Sequence, residues 1–188
     1  DFVANGGPVW ACGACTGPRG ITTDDLVEGA AIVTAANLAE ARVMIDKVLA
    51  FEQAGLDLSG TAVLVADNAD LAGHFEADAD DVAATALAAR AVEKVYVRDL
   101  GAATRDSIKS AFDSGPGLVS YVGHGATAVW ASENVFNNTD VSSLQAQGQQ
   151  PLLLTLNCLN GFFHFPPFDS LAEAFVKADG RGALAAFS

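Results

Sequence analysis

Short apolar runs alternate with stretches of helical periodicity along most of the chain, and this alternation restricts the folds that are open to it. Runs such as residues 152–154 are apolar at consecutive positions, which predicts strands that are covered on both faces. Such strands, separated by helices, are typical of a mainly parallel sheet with helices on both sides, so we predict an α/β fold. The predicted strands are residues 29–33, 61–66, 94–97, 118–122, 151–156 and 183–187.

Helical spacing and capping residues place the predicted helices between these strands. The first should begin with Asn37 as its N-cap and Glu40 as the capping-box partner, and it should run to about residue 54. The other predicted helices are residues 78–89, a helix that begins at residue 104 or 106 and stops near residue 115, residues 140–147 and residues 170–178.

The length of 188 residues fits one main domain. Residues 1–20 are Gly-rich and irregular, so we predict that the domain covers residues 21–188. The last apolar run reaches almost to Ser188, and a strand is an unusual place for a chain to stop. We therefore expect a processed or truncated part of a longer precursor.

The net charge excludes several classes of partner. At −13, it argues against nucleic acid and anionic membrane surfaces, because both attract basic patches. No apolar run approaches the roughly 20 residues of a membrane-spanning helix. Asp24, Asp25 and the acids of residues 78–81 offer oxygen ligands for Ca²⁺, but without EF-hand spacing. We expect no required cofactor and no metal site, with Ca²⁺ as the alternative.

Polar residues follow the predicted strands where each one ends. Asp67, His124 and Cys158 come directly after three of them, and ligands bind at this edge of a parallel sheet. A cysteine nucleophile needs a base nearby, and strands that are neighbours or next neighbours would hold the two groups about 5–10 Å apart. The backbone N–H groups of Gly125 and Cys158 would then face a substrate carbonyl oxygen, and the missing Cβ of Gly125 would make room for it.

Two segments carry a resemblance to a known family. The segment around His124 reads YVGHGATAVW and the segment around Cys158 reads LNCLNGFF, with 34 positions between the two residues (158 − 124). Together with the order of strands over residues 21–188, they resemble the gingipain-type cysteine peptidases, which have the caspase-like fold. The resemblance implies a three-layer sandwich with a mainly parallel sheet and helices on both faces.

The resemblance also implies roles for particular residues. His124 would be the general acid and base, Cys158 the nucleophile, and the N–H groups of Gly125 and Cys158 the oxyanion hole. An acid after the first strand of the main sheet would orient His124, and either Asp67 or Asp70 lies in the matching region. The family usually has a Gly-Arg pair at the first strand, where this chain has Gly-Ala at positions 29 and 30.

Three further residues are candidates for substrate binding. Arg-specific members of the family hold an acid in the primary pocket, and Glu76 aligns best with it, ahead of Asp78 and Asp80. Acidic residues in the first turn of a helix are also favoured by the helix dipole, so they are expected there even without a pocket. Trp130 fits either the substrate cleft or the core, and Asn157 lies beside the nucleophile.

These features predict a cysteine endopeptidase that acts on protein or peptide substrates, secreted or at the cell surface, with other domains of its precursor as further partners. The alternative is a non-catalytic module of the same fold within a large extracellular protein. A third hypothesis is a thiol–disulfide protein that works through Cys12 and Cys15. That motif should end an apolar strand and open a helix, whereas glycines and prolines flank it here, so a surface loop or a local disulfide is its alternative.

Overall fold

The computed structural model describes residues 9–55, 58–163 and 168–188. The chain divides into two compact units, Asp1–Ile45 and Asp46–Ser188. This boundary falls later than the predicted one after residue 20. Residues 1–8 of the predicted irregular segment lie outside the described residues.

The first unit contains a strand that the sequence did not predict. β1 (Val9–Cys12) pairs in parallel with β2 (Ala30–Val33), and the short helix α1 (Gly13–Thr16) follows β1 directly. Residues 9–12 are therefore not irregular, because their backbone groups pair with those of β2. The prediction placed β2 in the main sheet, whereas in the structure β2 belongs to this small sheet.

The helix α2 (Ala35–Gln53) crosses the boundary between the units. It begins before the predicted N-cap, because Thr34 takes that role: its backbone N–H donates to Asn37 Oδ1 over 3.0 Å, and Asn37 N–H donates to Thr34 Oγ1 over 3.4 Å. Asn37 therefore occupies the third helical position and is not the N-cap.

The main sheet of the second unit is parallel throughout, as predicted for strands that are covered on both faces. Among the described residues its order is β10-β9-β5-β3-β4. These strands are β3 (Ala62–Ala66), β4 (Val92–Tyr96), β5 (Leu118–Val122), β9 (Leu152–Leu156) and β10 (Ala185–Phe187).

The helices of the second unit are α3 (Phe75–Ala84), α4 (Val97–Leu100), α5 (Thr104–Asp113), α6 (Asn138–Ser143) and α7 (Leu171–Lys177). The short helix α4 was not predicted, and the other four lie within a few residues of their predicted positions. Ser170 caps α7 in a capping box with Glu173. In the part of the chain that the structure describes, no helix is both long and apolar enough to cross a membrane.

Alternate residues of β3 point into two separate cores, which lie on opposite faces of the main sheet. Val63 and Val65 pack in a cluster with Phe112 of α5 and Phe175 of α7. The neighbours of these two valines along the strand, including Leu64, pack in a second cluster with residues of α3. The main sheet is thus covered on both faces, which gives the layered α/β architecture that we predicted.

Lys47 of α2 closes the carboxyl end of α7. Its buried Nζ lies 2.9–3.2 Å from the carbonyl oxygens of Phe175, Val176, Arg181 and Ala183. Burial lowers the pKa of Lys47 to about 8, and the charge of Asp179 opposes this shift. The side chain supplies the hydrogen-bond donors that helix-end carbonyls otherwise lack.

A small antiparallel sheet follows β5 and was not predicted. It consists of β6 (Gly125–Ala126), β7 (Val129–Trp130) and β8 (Phe136–Asn137) in the described part of the chain. Strands of two residues leave too short an alternation to be recognised in a sequence. This sheet begins directly after His124 and holds the chain beside the carboxyl edge of the main sheet.

Candidate active site

The carboxyl ends of β3, β5 and β9 bring Asp67, His124 and Cys158 to one edge of the main sheet. β5 lies between the other two strands, and its last residue, Val122, pairs with Ala66 of β3 and Leu156 of β9. His124 and Cys158 each lie two positions past the Val122–Leu156 pair, and Gly123 N–H still donates to Leu156 O over 3.3 Å. Neighbouring parallel strands are about 4.8 Å apart, so the ends of β5 and β9 that lead into His124 and Cys158 are adjacent at this edge.

Asp67 holds His124 at two points. Its Oδ2 accepts the backbone N–H of His124 over 3.0 Å and lies 3.0 Å from the ring Nδ1. Its Oδ1 accepts the backbone N–H of Asn68 over 2.8 Å, and only 3% of the residue is exposed. A buried carboxylate with these contacts fixes both the backbone and the ring of the histidine.

Asp70 also reaches the ring, from the solvent side. Its Oδ2 lies 3.5 Å from His124 Nε2, and the side chain is half exposed. Phe75 packs edge-on against the imidazole, with 5.2 Å between ring centroids. Both acids that the resemblance left open are therefore near His124, but Asp67 makes the shorter and better shielded contact.

Gly123 allows this approach of Asp67. A Cβ at position 123 would lie 2.2 Å from Asp67 Cβ, and the φ of +152° favours glycine. Tyr121 supports the same turn, because its hydroxyl donates to His124 O over 2.6 Å. The first glycine of the Gly-His-Gly motif thus admits the side chain that orients the histidine.

Gly125 allows the approach of the loop that carries Cys158. A Cβ at position 125 would lie 1.9 Å from Asn157 Nδ2 and 2.9 Å from Asn157 Cγ. We predicted that this glycine makes room for a substrate carbonyl, but the side chain of Asn157 occupies that space. The side chain of Asn157 therefore contacts Gly125 at the place where we expected the substrate. Its amide atoms are buried and have no hydrogen-bond partner among the described residues.

The backbone N–H of Gly125 is directed away from β7. Ala131 N–H donates to His124 O over 2.9 Å, and hydrogen-bonded pairs alternate in an antiparallel ladder. The next pair, Gly125 with Trp130, therefore exchanges no ladder hydrogen bonds. This leaves the Gly125 N–H for another acceptor.

Asn160 joins the loop after Cys158 to the β6–β7 hairpin. It is fully buried, its Nδ2 donates to Ala126 O over 2.6 Å, and its Oδ1 accepts from Trp130 Nε1 over 2.6 Å. Leu159, which lies between Cys158 and Asn160, is exposed and has a φ of +64°, which is rare for leucine. The sequence analysis assigned Asn160 no role at the site, because its partners lie in a hairpin that was not predicted.

Trp130 lies in the core and not in a cleft. It is fully buried and stacks on Tyr121, with ring centroids 4.5 Å apart. Its polar edge is engaged by Asn160. The sequence left the position of Trp130 open between the substrate cleft and the core, and the structure places it in the core.

The acids of α3 separate into different environments. Glu76 is 4% exposed, and its Oε1 lies 3.4 Å from Arg98 Nε, without the alignment of a hydrogen bond. Asp80 binds Lys94 over 2.7 Å and Tyr96 over 2.5 Å. The buried carboxylate of Glu76 thus faces Arg98, and its role as the acid of the primary pocket stays a prediction.

Asp78, in contrast, lines a small pocket at the edge that carries His124 and Cys158. The pocket has a volume of about 50 Å³, and its wall includes Val122 and Leu156, the last residues of β5 and β9. A second pocket, of about 430 Å³, is lined by His124 itself together with Ser132 and Asn134. Among the described residues, no group of three potential ligands is placed to hold a metal ion.

Comparison with known proteins identifies the family. The model of peptidase family C25 matches residues 33–188. The chain belongs to peptidase family C25. This confirms the resemblance to the gingipain-type cysteine peptidases, and the C25 match contains Asp67, His124 and Cys158.

Gingipains are among the relatives of this C25 chain. Gingipain R2 of Porphyromonas gingivalis is 35% identical over 79 residues, which cover 42% of this chain and 10% of the relative. Gingipain R1 of the same organism is 35% identical over 79 residues, which cover 42% of this chain and 8% of the relative. The match thus spans about a tenth of each relative.

Solved structures confirm the fold of the C25 domain. The crystal structure of the Arg-specific cysteine proteinase gingipain R superposes with a TM-score of 0.65 at 25% identity, over 84% of this chain and 38% of that one. The complex of the Porphyromonas gingivalis RgpB pro- and mature domains gives a TM-score of 0.66 at 23% identity, over 85% of this chain and 40% of that one. The α/β sandwich with a mainly parallel sheet is therefore shared.

Proposed function

We propose that this chain carries the catalytic residues of a cysteine endopeptidase, with Cys158 as nucleophile and His124 as general acid and base. The observation that supports the proposal is the shared register of β5 and β9, whose last paired residues each lie two positions before His124 and Cys158, together with the contact of Asp67 with the imidazole. Membership of peptidase family C25 supports the same reaction class.

The reaction is acyl transfer. With Nδ1 facing Asp67, His124 takes the Cys158 proton through Nε2, and the sulfur attacks the scissile carbonyl. The imidazolium then protonates the leaving amine, and water hydrolyses the thioester. The N–H groups of Gly125 and Cys158 stabilise the oxyanion, and one such donor typically lowers the barrier by about 3 kcal/mol.

We further propose that the enzyme prefers substrates that have a basic residue on the acyl side of the scissile bond. Asp78 lines the pocket beside Val122 and Leu156, each two positions ahead of a reacting residue. The apolar wall suits the stem of an arginine or lysine, and the carboxylate suits its head. The Arg specificity of the related gingipain R supports this assignment.

Covalent labelling tests the mechanism. Acyloxymethyl ketone peptides with Arg, Lys, Asp, Ala or Leu before the ketone should alkylate Cys158, and the Arg and Lys probes should react fastest. Trypsin places Cys158 on residues 110–177, apart from the other two cysteines on residues 1–19. Adduct on residues 110–177 that is lost in His124→Ala supports the proposal. A folded protein that no probe labels would favour the non-catalytic module.

The pocket assignment has its own matched variants. Asp78→Asn should slow labelling by the Arg probe at least tenfold and leave the Leu probe within about twofold, because only the charge at the pocket changes. Asp81→Asn, on an exposed position of the same helix, is the control and should change neither rate. Equal slowing of both probes by Asp78→Asn would contradict a specificity role.

The proposal extends to location and partners. We propose that the protein is secreted or displayed at the cell surface and contacts other domains of its own precursor. The solved complex of the RgpB pro- and mature domains supports this arrangement by analogy. An antibody against the chain should detect it in the culture medium or on intact cells, and detection only after lysis would refute the proposal.

A further inference from the structure

The first unit contains two cysteines that the peptidase mechanism does not use. Cys12 is the last residue of β1, where it pairs with Val33 of β2, and Cys15 lies in α1 immediately after it. Both thiols are exposed and free of disulfide bonds in the described structure. Sequence analysis discounted a redox motif because no strand and helix were expected around it, yet β1 and α1 provide both.

The thiols of Cys12 and Cys15 differ in pKa. Hydrogen bonding to the Cys15 thiol, and then to the backbone N–H groups of Cys15 and Ala14, lowers the pKa of the Cys12 thiol. The same interaction with Cys12 raises the pKa of the Cys15 thiol. Cys12 is therefore the thiol that ionises more readily, and it lies where β1 ends and α1 begins.

Neighbouring residues of the same unit hold this arrangement. A Cβ at Gly13 would lie 3.1 Å from Val33 O and 3.3 Å from Ile32 Cγ2, so the turn packs closely on β2. Arg19 Nη1 donates to Cys15 O over 2.7 Å, and Thr16 Oγ1 donates to Gly13 O over 3.3 Å. These contacts tie the segment between the cysteines to the small sheet.

We propose that Cys12 and Cys15 form a redox-active dithiol that exchanges with small disulfides, with Cys12 as the attacking and Cys15 as the resolving residue. The Cys12 thiolate attacks one sulfur of the disulfide, forms a mixed disulfide and releases one thiol. Cys15, losing its proton to solvent, then attacks Cys12 Sγ and releases the second thiol. The protein is oxidised by two electrons, and the small disulfide is reduced to two thiols.

Oxidised glutathione serves as the probe on the full chain. Peptide mapping should find residues 1–19 lighter by two hydrogens, with no retained glutathione, and dithiothreitol should restore the dithiol. Retained glutathione on both cysteines without an internal disulfide would overturn the proposal. Cys158 lies on a different tryptic peptide, so this readout is independent of the peptidase activity.

Matched variants assign the two roles. Cys15→Ser should accumulate glutathione on Cys12, because the resolving thiol is absent. Cys12→Ser should react at Cys15 more slowly than Cys15→Ser reacts at Cys12, because the backbone N–H groups of Cys15 and Ala14 lower the pKa of Cys12 in either case. In the unmodified chain, iodoacetamide should label Cys12 at lower pH than Cys15. Equal rates for the two variants would refute the assignment of roles.

Discussion

Gly125→Ala should inactivate the catalytic site without unfolding the protein. The new Cβ would lie 1.9 Å from Asn157 Nδ2, and ordinary contacts begin at 3.4 Å, so the atoms must separate by about 1.5 Å (3.4 − 1.9). Rotation of the amide alone does not suffice, because Asn157 Cγ is also too close, at 2.9 Å. Since Cys158 is the next residue, relief of the overlap moves the nucleophile.

The expected loss follows from this displacement. A misplacement of about 1 Å at reacting groups costs roughly 100-fold in rate, so Cys158 should be labelled about 100-fold more slowly by the acyloxymethyl ketone probe. Overpacking at one position costs about 1–3 kcal/mol, which a folded domain tolerates. Gly148→Ala is the control, because a Cβ there meets nothing within 4 Å.

A second substitution separates local overlap from general damage. Asn157→Ala removes the two nearest atoms that the new methyl group would meet and leaves Val129 O, at 3.2 Å, so Gly125→Ala/Asn157→Ala should be labelled at least tenfold faster than Gly125→Ala. Circular dichroism establishes that each variant is folded. The reasoning is refuted if Gly125→Ala reacts within threefold of Gly148→Ala, or if the second substitution brings no recovery.

Three further substitutions test other contacts. Asp67→Asn should lower kcat/KM about 100-fold or more, because it removes the charge that holds His124. For Asp70→Asn, kcat/KM should stay within about threefold of the unmodified protein. Peptide hydrolysis measures both values, and equal losses would contradict the assignment of Asp67. Lys47→Met should lower the free energy of unfolding in urea by about 2–4 kcal/mol, since buried carbonyls lose their donor, and a loss below about 0.5 kcal/mol would contradict this. Trp130→Phe should cost about 1–3 kcal/mol in the same assay and slow labelling of Cys158, because a buried oxygen of the cysteine loop loses its partner; unchanged labelling would count against that coupling.

The strands of the main sheet could be predicted because burial on both faces leaves a continuous apolar run. β5 (Leu118–Val122) matches its predicted range, and β9 begins one residue after its predicted start. The prediction failed where strands are short or pair locally, as in β1 and the β6–β7 hairpin. Their hydrogen bonds depend on a partner strand, which a local pattern does not reveal.

The positions of Asp67, His124 and Cys158 could likewise be predicted, because parallel strands deliver their carboxyl ends to one edge. The supporting residues could not. Asn160 acts through contacts with a hairpin 30 or more residues away in sequence. Glu76 and Asp78 are two positions apart on one helix, and the sequence does not show that they have different surroundings. In the structure Glu76 packs against Arg98, whereas Asp78 lines the small pocket.

The Gly-His-Gly motif makes the loops of the proposed active site depend on one another. Gly123 admits Asp67 from β3, and Gly125 admits Asn157 from the loop of Cys158. Asn160 returns from that loop to the carbonyl of Ala126. Each loop therefore occupies space or supplies hydrogen bonds that its neighbour needs, so a disturbance in one displaces the next. Substitutions at these positions should consequently be non-additive, because once one contact is broken the others have already lost their geometry.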